Sequence, residues 1–239
     1  MVILSFILIL LFVGVHLFVR RFTRLMTQPR KPLLSFASGV SISYVTVHLF
    51  PEFQSLQKDF NTLLNVPERF HEYSLYLIAT IGFLSFYSIN HFVKQGKNRD
   101  QNEYPSSLVF AIHIGAFVIY NSFIGYYLIK GLDQEPKNLI IFSFAFILHL
   151  MVNDVGLRLD HKRRYDPAGS IILAFSVVGG WLLGVFVNIP TLIFAIWFSW
   201  LAGGILLNTI KEELPSERSS KLLPFVLGII LSSVLFIIL

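Results

Sequence analysis

Cysteine is missing from all 239 residues, which excludes disulfides, thiolate metal sites and thiol catalysis. Charge is scarce: Asp, Glu, Lys and Arg together make up only 14% of the chain. No stretch is long or polar enough to form a separate soluble domain, and there is no low-complexity run or histidine-rich tract. Phosphate loops, dinucleotide fingerprints and nucleophile–base motifs are absent too, so no enzyme activity and no organic cofactor are expected. What remains is apolar. Hydrophobic residues are 54% of the chain and the mean hydropathy is +0.67, the composition of an integral membrane protein. The net charge of +5 sits in short loops between apolar runs and does not point to nucleic acid.

Eight apolar segments are predicted, at about 2–19, 33–50, 73–93, 106–129, 138–157, 168–187, 190–210 and 222–239. The expected fold is an all-α bundle of eight transmembrane helices in one domain spanning 1–239. Positive charges follow the first apolar run instead of preceding it, so this run reads as a retained helix, not a signal peptide. Fifteen of the 19 Lys and Arg residues fall in alternate loops: 20–32, 94–105, 158–167 and 211–221. That asymmetry predicts cytoplasmic loops there and both termini outside. The loop at 51–72 is expected to hold a short interfacial helix after Pro51, which should end or kink the second segment. Gly180 and Gly184, Gly203 and Gly204, and the set Ser35, Ser38, Gly39 and Ser41 read as close helix interfaces.

Polar side chains interrupt segments four and five near their middles. Segment four contains His113, Tyr120 and Asn121, and segment five contains His149, Asn153 and Asp154. An ionisable group at that depth costs several kcal/mol unless paired, hydrated or metal-bound. His149 and Asn153 are four apart and share a helix face, with Asn153 about 6 Å deeper. Running antiparallel, segment four should place Asn121 near the depth of His149, and His113 near that of Asn153 and Asp154. Imidazole suits zinc and other first-row metals, whereas the asparagine oxygen is a harder, weaker ligand. Plainer roles stand beside these: interhelical hydrogen bonds for His149 and Asn121, and a helix-end ion pair with Arg158 for Asp154. His48 and Glu52 share a face at the outer mouth, and Glu212 lies at the cytoplasmic mouth. The plainer reading of both mouths is a solvated helix end. His16 and His91 look interfacial, and His71 and His161 fall in loops. The His149–Asn153 spacing is that of a zinc-protease helix, but Leu150 stands where the base would be, so metallohydrolysis is rejected.

These motifs resemble the ZIP family of divalent metal transporters. Ala37 to Phe53, ending His48-Leu-Phe-Pro-Glu52, is similar to that family's helix ending His-Leu-Leu-Pro-Glu. Leu201 to Ser216 matches at Ala202, Gly203, Glu212 and Pro215. Asn121 and Gly125, and His149, Asp154 and Gly156, fall on matching positions of the family's site helices. Tyr120 stands where its first histidine is expected, Ile124 for an acid, Leu150 for a glutamate, Val152 for a proline, and Asn153 for a histidine or glutamate.

The resemblance implies a divalent cation, zinc, manganese or iron, moved toward the cytoplasm without ATP. Its site would be His149, Asn121 and Asn153, with Asp154 and His113 below; His48 and Glu52 would line the entrance and Glu212 the exit. It also implies a plasma or inner membrane, a lipid bilayer as the surroundings, and a homodimer as one arrangement. The missing ligands keep a second expectation open: a non-transporting relative serving as receptor, regulator or assembly partner.

Overall fold

Apolar runs of this length leave the backbone one way to satisfy its hydrogen bonds in lipid, the helix. The computed structural model describes residues 2–26, 32–99, 106–131, 135–213 and 221–238. Among them there is no strand. The α-helices are α1 (Val2–Leu17), α2 (Val19–Met26), α3 (Pro32–Ser43), α4 (Phe50–Leu64), α5 (Ser74–Arg99), α6 (Ser107–Lys130), α7 (Pro136–Arg164), α8 (Ser170–Phe186), α9 (Thr191–Asn208) and α10 (Leu222–Ile238). Each of the eight apolar segments falls on a helix.

Among the described residues, five stretches have the length and apolarity to cross a membrane, and α1 with α2 would make a sixth despite a 66° bend between them. Helices α8 and α10 are apolar but only 17 residues long. Large apolar side chains point outward along the bundle, Ile3, Phe175 and Phe186 among them, as a lipid-facing surface requires.

Pro51 does not end the second segment. The helix continues from Pro32 to Leu64, and the six residues Tyr44–Leu49 just before the proline widen into a π turn. There the Phe50 N–H reaches back to the Val45 carbonyl, a longer bond register than the α-helix uses. The wider turn makes room for the ring and the missing donor of Pro51. The full helix has 33 residues, about 50 Å at 1.5 Å per residue, so α4 projects well beyond a hydrocarbon layer of about 30 Å. It ends at Asn65 in the left-handed conformation (φ 48°), and the α4–α5 turn is tied down by Gln57 and Asn61, which both donate to the His71 carbonyl. Two more π turns sit beside prolines: Tyr165–Gly169 contains Pro167 and leads into α8, and Thr209–Glu213 follows α9 two residues before Pro215.

Three helix pairs pack backbone to backbone, each through reciprocal glycines. A Cβ on Gly180 of α8 would lie 1.8 Å from the Ser122 carbonyl oxygen of α6, and one on Gly125 of α6 would lie 2.0 Å from that of Val177. Gly82 of α5 and Gly203 of α9 repeat the arrangement at 1.9 Å, and Gly39 of α3 and Gly228 of α10 at 2.3 Å. Without lipid-driven hydrophobic association, such close approach supplies the attraction between helices. Helices α1 and α7 meet each other and the α6–α8 pair, and they bury His16, His149, Asn153, Asp154 and His161.

Candidate functional site

His113, Tyr120 and Asn121 of α6 and His149, Asn153 and Asp154 of α7 are all buried, but they gather in separate groups instead of one niche. Tyr120 of α6 meets His149 of α7, its hydroxyl 2.6 Å from Nε2. Asn153, one turn along α7, places Nδ2 2.9 Å from the same nitrogen. The Tyr120 hydroxyl and the Asn153 amide thus converge on one ring nitrogen. The Oδ1 of Asn153 is buried without a hydrogen-bond partner.

Asn121 turns away from this group. Its Oδ1 lies 3.0 Å from Nε2 of His16 on α1, while its Nδ2 donates to the Phe117 carbonyl at 2.8 Å. That donation fixes which end of the amide faces the histidine. Nδ1 of His16 lies 2.8 Å from Asp154 Oδ2. Both ring nitrogens thus face acceptor oxygens, the donor pattern of an imidazolium held against a carboxylate. His16 is fully buried, so the expectation that it lies at the interface is overturned. The expected Asp154–Arg158 ion pair is replaced as well. Arg158 instead grips Asp166 through two bonds of 2.7 and 3.1 Å, and Arg20 approaches Asp166 at 3.3 Å. The π turn into α8 brings Asp166 within reach of Arg158 and leaves Asp154 to α1.

His113 forms a third group with His161, Nδ1 to Nε2 at 2.9 Å. His161 is not in a loop: α7 runs on to Arg164 and buries it, with a local departure from helical backbone (φ −129°, ψ 25°). Beside this end of the bundle, Tyr165 is wholly buried and its hydroxyl lies near Asp154, short of bonding geometry. Burial holds that hydroxyl well above the usual tyrosine range, and the Asp154 charge pushes it further.

At the other end, His48 Nε2 lies 3.5 Å from Glu52 Oε1, and the same oxygen accepts a bond from the Tyr127 hydroxyl of α6. The pair is therefore tied into the bundle by α6, a link that spacing along α3 and α4 could not reveal. The Glu212 side chain lies outside the described residues.

Between the two ends is a small apolar chamber of about 20 Å³, lined by Tyr44, Tyr120, Phe146 and Ile205 among others. Among the described residues no three His, Asp or Glu side chains converge as a metal site. A cation at His149 would have to displace the donors from Tyr120 and Asn153. Sequence reasoning missed His16, His161 and Tyr165. The only signal for His16 was a lone histidine at the end of an otherwise apolar run; its partners lie more than 100 residues away.

No known protein family, curated protein or solved structure matches this chain.

Proposed function

We propose that this chain is a ZIP-like membrane transporter carrying a divalent cation, zinc, manganese or iron, toward the cytoplasm. One observation supports it above the others: largely apolar helices bury a string of polar groups, from Glu52 and Tyr127 through Tyr120, His149 and Asn153 to Asp154 and His16. Stability is a poor reason to keep them, since well-packed apolar residues serve at least as well in place of a buried ion pair. Asn153 and His149 would take the cation first, and Asp154, Asn121 and His113 would flank it. Movement would come from rocking one group of helices against another around that level, with the three π turns as points of bending. The basic loops orient both termini outside a plasma or inner membrane.

A second reading has its own support. Asn121 and Asp154 turn to His16 instead of joining His149, which suits a relative that no longer transports and serves as a receptor, regulator or assembly partner. Uptake of zinc, manganese and iron into vesicles containing the purified protein separates the two. Transport predicts uptake that drops at least about tenfold in His149→Ala. Wild-type protein with no flux, and no metal by elemental analysis, selects the second reading.

A further inference from the structure

Among the described residues, five buried polar atoms on α3, α7 and the end of α9 have no hydrogen-bond partner; Ser143 Oγ lies about 15 Å up α7 from Asn153, which leaves Ser41 Oγ, Asn153 Oδ1, Asn208 Nδ2 and Thr209 Oγ1. Their residues are only 2–3% exposed. An unmet polar atom in such surroundings costs about 1–3 kcal/mol, so four in one region require an account.

Their placement follows from the directions of the helices. Glu52 meets Tyr127, while Tyr44 and Tyr120 share the apolar chamber, so α3 and α6 run parallel. Helix α7 runs against α6, since Tyr127 stacks on Phe142, Tyr120 meets His149 and His113 meets His161. Helix α9 also runs against α6, with Phe198 beside Tyr127 and Ile205 beside Tyr120. The chamber walls Tyr44, Phe146 and Ile205 thus share one level. A helical turn deeper on the same faces come Ser41 on α3, His149 on α7 and Asn208 on α9, with Thr209 next to Asn208 and Asn153 one turn below His149. The elements α3, α7 and the π turn at Thr209 pack against one another.

We propose that this seam binds a hard monovalent cation through Ser41, Asn153, Asn208 and Thr209. The donor set decides the class. Hydroxyl and amide oxygens are hard ligands, and the Asn208 amide can turn its oxygen inward, because its two ends are nearly isosteric. No carboxylate belongs to the set, and calcium or magnesium would need one. The nearest acid on α7, Asp154, is already engaged by His16. Two π turns begin at the seam, at Tyr44 and Thr209, and the carbonyls they displace from α-helical register are further oxygen donors. The ion's binding does not depend on the transport reading; its role as the ion coupled to transport does.

The test is thermal unfolding of the purified full chain in detergent, in sodium, potassium or choline chloride at equal ionic strength. Sodium or potassium should raise Tm saturably by about 3 °C over choline. Ser41→Ala and Asn208→Leu should abolish that rise, whereas Ser143→Ala, ten residues up α7 from Asn153, should retain it. Ser41→Ala removes one oxygen and keeps the helix, so it remains informative if Asn208→Leu fails to fold. Equal Tm in all three salts, or a rise that survives Ser41→Ala, would overturn the site. Vesicle uptake with and without a sodium gradient then separates the two claims. A salt-dependent Tm without any flux upholds the site and removes transport; gradient-independent flux with an unmoved Tm removes the site and upholds transport.

Discussion

Asp154 and His16 face each other at 2.8 Å where lipid-embedded helices tolerate neither partner alone. Removing one leaves the other buried and uncompensated, at a cost of about 3–5 kcal/mol. Asp154→Leu should therefore lower stability by about that much in detergent unfolding. His16→Leu combined with Asp154→Leu should be more stable than either single variant, because both charges leave together. A double variant weaker than both singles would show that the two side chains do not form a pair. Tyr165 makes a pH-dependent contribution. Its hydroxyl titrates higher in the folded than in the unfolded chain, so the native state holds the proton more tightly. Its stabilising effect is complete below pH ~10 and is lost as pH rises beyond that. Tyr165→Phe should flatten the fall of Tm between about pH 9 and 11; an unchanged profile would reject the burial of that hydroxyl.

Among the elements, α6 and α8 give the sharpest test because neighbouring glycines differ so completely. Gly180 has the Ser122 backbone where a Cβ would go, whereas a Cβ on Gly179 meets nothing within 4 Å. Gly180→Ala should push the helices apart and cost about 1–3 kcal/mol, the range for overpacking. Gly179→Ala should be neutral or stabilise by a few tenths, since alanine is the better helix former. Thermal unfolding of the two variants side by side checks the contrast, and equal effects would mean the pair does not pack at Gly180. The sequence marked Gly180, Gly203 and Gly39 as interface residues through their spacing among apolar neighbours. It did not say which helix each would meet. It expected Pro51 to end or kink the helix, because a proline signals a missing donor but not whether the turn before it can widen.

At the scale of the whole molecule, the three glycine-bound pairs are α6 with α8, α5 with α9, and α3 with α10, and α7 packs on α3, on α6 and on the π turn that follows α9. This leaves α1 to close the bundle against α6, α7 and α8, which is how a histidine near the start of the chain reaches residues beyond 120. The topology expected from the basic loops can be checked directly, because the chain has no thiol background. Lys58→Cys should react with a membrane-impermeant maleimide on intact cells, whereas Lys94→Cys and Lys221→Cys should react only after permeabilisation. Reaction at Lys94→Cys in intact cells would invert the orientation.

Composition and periodicity by themselves determined that the chain is helical, where its apolar segments lie, and which buried residues are too polar to be ordinary core. Those are local properties: twenty apolar residues in a row have few alternatives to a helix, and a histidine in such a run is costly wherever it points. The partners of those residues depended on the tertiary structure. His149 took Tyr120, Asn121 took His16, and His113 took His161, since hydrogen bonds over a few ångströms are decided by which helices touch and how each is rotated. That rotation is set by backbone contacts at glycines far from the polar groups themselves.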